Sequence, residues 1–113
     1  MVRIDLGMSP GKIASQAGHA YVGSLFRCQE LNPQLLADYI KDFPGTKVCL
    51  QAKNLDALLR AQAEAQAAGI PCSLITDSGC TNFFNGQPII TALGLGPAKE
   101  NKIKHITRRF QLL

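Results

Sequence analysis

Residues 2–20 read VRIDLGMSPGKIASQAGHA, and this stretch decides the fold class. Val2, Ile4 and Leu6 alternate with their neighbours as the residues of a short sheet strand do. Gly7 opens a turn, Ser9 suits a helix N-cap, and Pro10 suits the first helical position, where its missing N–H costs nothing. Strand, turn and helix therefore follow one another within 20 residues. The oddity is Lys12. A capping box would place Glu or Gln there, and the helix macrodipole disfavours a cation in the first turn. On the dipole alone, Lys12→Ala would stabilise the fold by about 0.3–1 kcal/mol. A lysine beside free backbone N–H groups instead makes a pocket for negative charge.

Along the same helix Lys12, Gln16 and His19 fall at i, i+4 and i+7 and share a face. Ile13, Ala17, Ala20 and Leu25 form a second stripe, small and apolar, suited to packing on a sheet. A plain solvated face would look the same from this helix alone, so the weight of the polar triplet depends on the rest of the chain.

Working outward, Asn32-Pro33 breaks the first helix, and residues 33–41 predict a short second one with Leu35, Leu36, Tyr39 and Ile40 inward. Pro44-Gly45 is a turn, and residues 47–52 read as a strand. Asn54 caps a helix over 55–68 whose period is set by Leu55, Leu58, Leu59, Gln62 and Ala65, and Gly69 ends it. Residues 72–76 form a third strand that delivers Asp77 to its C-terminal end, where ligand sites of open α/β sheets gather. A simple Asx turn at Asp77-Ser78-Gly79 is the bland alternative. Asn85-Gly86 signals a turn. Residues 89–95 make a fourth strand, 98–105 a short basic helix, and 108–113 a final extended piece. This alternation predicts a single-domain α/β sandwich over residues 1–113, with strands one to three largely parallel.

Composition narrows the function classes. A hydrophobic content of 46% and a charged content of 18% suit an ordinary globular chain. No apolar run approaches the roughly 18 residues of a membrane span, and no signal-peptide core is present, so a cytoplasmic protein with no membrane partner is expected. Cys28, Cys49, Cys72 and Cys80 lack paired C-x-x-C spacing and histidines at finger distances, which argues against a metal site and for free thiols. Residues 1–98 hold seven cations and seven anions, so the whole formal charge of +4 lies in residues 99–109. There Lys99, Lys102, Lys104, Arg108 and Arg109 stand against Glu100 alone, a pattern that fits a polyanion partner or simply a solvated helix.

Two catalytic readings can be tested against the spacing. A phosphate loop at Gly7–Lys12 fails twice, with three residues between its glycines and Ile13 after the lysine. A thiol hydrolase would need Cys80 within reach of His19, which nothing in the sequence shows.

The stretch 2–20 resembles the N-terminal signature of the archaeal and eukaryotic type of peptidyl-tRNA hydrolase, the Pth2 family. Arg3, Asp5, Leu6, Met8, Gly11, Lys12, Ala14, Gln16, His19 and Ala20 carry the match. Asp77-Ser78-Gly79-Cys80-Thr81-Asn82 resembles that family's Asp-Ala-Gly-(Arg/Lys)-Thr-Gln loop. Thr91-Ala92-Leu93-Gly94-Leu95-Gly96-Pro97 resembles its Thr-x-Leu-Gly-Ile-Gly-Pro strand. The resemblance implies a three-layer sandwich, a four-stranded mixed sheet with helices on both faces. It implies hydrolysis of the ester between a peptide and the terminal ribose of tRNA, with peptidyl-tRNA as partner, no cofactor, and homodimers common in the family.

Under that resemblance Lys12, His19, Asp77, Thr81 and Thr91 are the catalytic candidates. Lys12 would stabilise an oxyanion or hold the terminal phosphate, and Asp77 would orient or deprotonate water. Thr81 and Thr91 would bond the ester or ribose, and His19 would orient Lys12 or Asp77. Gln16, Lys99, Lys102, Lys104, Arg108 and Arg109 are the tRNA-binding candidates. Cys80 stands where the family has a cation, and the interval from Asp77 to Thr91 is about two residues longer than usual, which suggests a bulge or larger hairpin. A catalytically weak relative that binds RNA or protein is the alternative reading.

Overall fold

The computed structural model describes residues 1–78 and 86–113. Among these residues eight elements follow in order: β1 (Val2–Arg3), α1 (Pro10–Leu31), α2 (Pro33–Lys41), β2 (Gln51–Ala52), α3 (Leu55–Ala67), β3 (Cys72–Asp77), β4 (Ile89–Leu95) and α4 (Glu100–Thr107). Local signals account for most boundaries. The Lys12 N–H donates to the Ser9 hydroxyl at 3.2 Å, and Pro10 opens α1. Asn32 and Asn54 accept from the Leu35 and Ala57 N–H groups, capping α2 and α3. Gly69, with φ at +68°, turns the chain out of α3. Asn54→Ala is expected to cost about 1 kcal/mol, read as a lower denaturant midpoint at unchanged slope.

The sheet order is β2-β1-β4-β3. β1 and β2 are parallel, while β4 runs antiparallel to both β1 and β3. Strands one to three therefore point the same way, with β4 inserted between β1 and β3. One layer of helix lies on each face. Val2, Ala20 and Ala92 bury with Ile13 and Ala17 beneath α1, while Leu58, Ala61, Leu93 and Ile106 join α3 and α4 on the other side.

Three expectations change. The first strand is Val2–Arg3 alone, with Ile4 and Leu6 beyond its end. Only Gln51–Ala52 of the 47–52 run is strand, because β1 is itself two residues long and offers little ladder to pair with. The preceding residues pair outward with the C-terminal piece instead: Leu50 bridges Leu112, and the Leu113 N–H donates to the Cys49 carbonyl. In α2 only Leu36 is buried, and Ile40 is exposed, since the helix packs on α1 rather than on the sheet.

One close approach sets the register of α1 over the sheet. A Cβ on Gly94 would run into the Ala20 carbonyl oxygen, so the helix backbone rests directly on β4 there. With Ala20 seated over Gly94, Gln16 one turn earlier lies over the start of β4, and Lys12 a further turn back reaches the end of β3.

Candidate active site

A β-bulge shapes this end of the sheet. Ile75 faces Ala92 and Thr76 faces Ile90, so Thr91 is the extra residue on β4. Regular alternation would send Thr91 to the α3 face, opposite to Ala92. The bulge turns it instead toward α1, where its hydroxyl donates to Gln16 Oε1 at 2.5 Å. Gln16 Nε2 in turn donates to Asp77 Oδ2 at 3.3 Å, and Lys12 Nζ donates to the same oxygen at 2.5 Å. Three elements thus meet in one chain of contacts from Thr91 through Gln16 to Asp77 and Lys12.

Burial grades along that chain. Thr91 is fully buried and Gln16 is 3% exposed. The side chains of Asp77 and Lys12 are 8% and 13% exposed, so the ion pair presents only an edge to solvent. A pair this dry is electrostatically strong, and losing either partner removes the other's main charge compensation. It also explains Lys12: the Asp77 carboxylate offsets the repulsion of the α1 dipole, and the helix N-terminus favours that carboxylate.

Thr91→Val keeps the shape and removes the donor, leaving the buried Gln16 Oε1 without its partner. A loss of about 1–3 kcal/mol is expected by chemical denaturation.

Beside this chain, Arg3 makes a bidentate pair with Asp5, at 3.0 Å from Nε and 2.8 Å from Nη2. Its Nη1 donates to the Ile90 carbonyl at 2.8 Å, next to Thr91. The Arg3 hydrogen bond holds the Asp5 carboxyl below its ordinary range. Sequence reasoning did not place Arg3 at the site. Its signal is the i, i+2 spacing of Arg3 and Asp5, which sets opposite charges side by side where β1 runs into the following turn.

The other candidates distribute as follows. His19 lies exposed on α1 and, among the described residues, makes no hydrogen bond to Lys12 or Asp77. Cys80 and Thr81 fall outside the described residues. Lys99 and Lys102 flank a depression with Gly69, Ile70 and Pro71, at the start of β3, whereas Asp77 closes the other end of that strand. A six-residue strand separates the two places by roughly 17–20 Å. Lys104 and Arg108 are exposed, and Arg109 Nη1 donates to Glu64 at 2.6 Å, which keeps that carboxyl below its ordinary range.

The family model described as "Peptidyl-tRNA hydrolase PTH2" matches residues 1–113, the entire chain. The chain belongs to the peptidyl-tRNA hydrolase PTH2 family. Among its relatives, the peptidyl-tRNA hydrolase of Methanococcus vannielii is 35% identical over 113 residues, covering 100% of this chain and 95% of that protein. Those of Methanocaldococcus jannaschii and Methanothermobacter thermautotrophicus are 33% and 39% identical, each covering all of this chain and 96% of the relative. The Lys12–Gln16–Asp77–Thr91 network is therefore set in a PTH2 domain matched along its full length. No helix among the described residues is long and apolar enough to cross a membrane.

Proposed function

We propose that this chain hydrolyses the ester joining a peptide, or an N-blocked aminoacyl group, to the terminal ribose of tRNA. The observation that carries the reading is the nearly dry Lys12–Asp77 pair at the meeting of the α1 N-terminus and the β3 C-terminus. An ester has a good leaving group, so positioning a water, accepting its proton and stabilising one oxyanion suffice. Asp77 orients the water and takes its proton as the oxygen attacks the ester carbonyl. The Lys12 ammonium, at the positive end of the α1 dipole, stabilises the oxyanion. Collapse of the tetrahedral species expels the ribose oxygen, which takes back the proton held by Asp77, and frees the peptide as its carboxylic acid.

Gln16 and Thr91 act here as positioning residues, because both are buried and their polar atoms are committed to each other and to Asp77. Thr81 bonds the ester or the ribose. His19, exposed on the helix face that carries Lys12, contacts the tRNA rather than the ion pair. The test is turnover of an N-blocked aminoacyl-tRNA by the purified protein; a folded protein that binds this substrate without releasing the acyl group would be a binding relative. That second reading is not favoured, since the curated relatives are named as hydrolases.

Lys99, Lys102, Lys104, Arg108 and Arg109 bind phosphates well away from the ester, along the body of the tRNA. Neutralising Lys99, Lys102 and Lys104 together is expected to weaken tRNA binding and flatten its salt dependence. The slope should fall by roughly 0.7–0.9 for each phosphate no longer neutralised, with single-turnover chemistry at saturation nearly unchanged. An unchanged slope would make the helix a solvated face.

A further inference from the structure

The bulge that turns Thr91 toward α1 interrupts the ladder at that point, so its backbone needs support beyond the regular pairs. That support comes from β1. Val2 pairs with Ala92 and packs beneath α1, so Arg3, the next residue, lies on the α3 face of the sheet. From there Arg3 Nη1 donates to the Ile90 carbonyl at 2.8 Å. This carbonyl and the Thr91 N–H belong to one peptide group, which is planar and rigid. Fixing the oxygen therefore fixes the plane from which the Thr91 side chain departs toward α1.

The guanidinium is itself held. Its Nε and Nη2 donate to the two Asp5 oxygens at 3.0 and 2.8 Å, a bidentate geometry that sets its orientation. The Arg3 side chain is only 12% exposed, against 35% for Asp5. Keeping a charge so nearly dry costs desolvation, which an apolar side chain on the same face would avoid. What the guanidinium adds is a fork of donors aimed at a carboxylate and a carbonyl together. On the other side of the Thr91 peptide the path continues, from the Thr91 hydroxyl to Gln16 Oε1 and from Gln16 Nε2 to Asp77.

We propose that Arg3, oriented by Asp5, is a positioning residue for hydrolysis, acting across the sheet through the Ile90–Thr91 peptide on Gln16 and Asp77. The proposal rests on the reading of Asp77 as the base. Arg3 contacts neither the ester nor the water; it sets where the Asp77 carboxylate stands. Small displacements of a catalytic group are costly, since a shift of about 1 Å can slow a reaction about 100-fold.

The experiment measures single-turnover release from an N-blocked aminoacyl-tRNA, per folded molecule, for Arg3→Met in the wild-type and Thr91→Val backgrounds. In the wild type, Arg3→Met is expected to lower the saturated rate about tenfold or more, with the half-saturating concentration within about twofold. In Thr91→Val the same substitution should change the rate by less than about twofold, because residues acting along one path are not additive. Arg3→Lys, which offers the Ile90 carbonyl a donor but no fork, should recover part of the loss. Should Arg3→Met not fold, Asp5→Asn carries the test: a smaller loss of rate, again absent in Thr91→Val. Equal losses in both backgrounds would overturn the proposal. So would a raised half-saturating concentration at an unchanged rate, which would make Arg3 a substrate contact. An Asp77→Asn protein run alongside separates the two levels. Full activity there would remove the base and this proposal with it, whereas a lost rate there beside an undiminished Arg3→Met would overturn this proposal alone.

Discussion

An Asp77→Asn protein is expected to release the acyl group from an N-blocked aminoacyl-tRNA about 100-fold more slowly or worse, as is normal when a positioned base is lost. Lys12→Ala should lose a similar factor, because a preorganised cation near a developing oxyanion commonly contributes that much. Both changes also disturb the fold. Each leaves the other charge in a site that is about one-tenth exposed, and breaking a pair of this kind costs about 3–5 kcal/mol. The Gln16 amide still reaches Asp77 in Lys12→Ala, so the lower end of that range applies there. The dipole argument taken alone has the opposite sign, and the ion pair outweighs it.

A third protein separates chemistry from architecture. Lys12→Met combined with Asp77→Leu replaces the pair by apolar side chains of similar reach. Its unfolding free energy is expected within about 1–2 kcal/mol of the wild type, since buried pairs and their apolar replacements are often close in stability. Its hydrolysis should stay as low as that of either single variant. Recovery of turnover together with stability would remove Lys12 and Asp77 from the chemistry and leave them as a structural pair.

A stability effect of similar size is expected at Gly94. Any Cβ there meets the Ala20 carbonyl oxygen, which is helix backbone and cannot swing aside as a side chain would. Gly94→Ala must therefore lift α1 from β4, and a loss of about 3 kcal/mol or more is expected by denaturant titration. The same displacement carries Gln16 and Lys12 away from Thr91 and Asp77, because all of them hang on one rigid helix. Hydrolysis should fall even in the fraction that remains folded. Full activity in a Gly94→Ala protein of near-normal stability would show that the helix tolerates the shift and that its register does not set the site.

Comparing the elements with the residues that encode them shows where local chemistry suffices. Ser9-Pro10 and the pair Asn54 and Gly69 mark the bounds of α1 and α3 because capping is settled by backbone groups within a turn of the side chain. The runs at 72–77 and 89–95 are legible as strands because β3 and β4 pair along most of their length and are covered by helices. The run at 47–52, strand only at Gln51–Ala52, shows the limit of that reasoning: its apolar residues look the same whether they meet β1 or the C-terminal piece. Lys12 and Asp77 are readable as candidates from a misplaced charge and a strand end. Their contact across 65 residues is not, nor is the hydrogen-bonded path that reaches Thr91.

Gln16 makes the point most sharply. Helical spacing puts it on the polar face with Lys12 and His19, which reads as a surface for tRNA. Only the contact of Gly94 with Ala20 and the bulge at Thr91 turn that position inward, burying Gln16 while His19 stays in solvent. Likewise the charge count locates the basic cluster in residues 99–109, but only the path of β4 and α4 places Lys99 and Lys102 at the far end of β3 from Asp77. Periodicity and capping act over a few residues and are written into the chain; a bulge, a backbone contact and the end of a sheet on which a charge falls depend on partners tens of residues away.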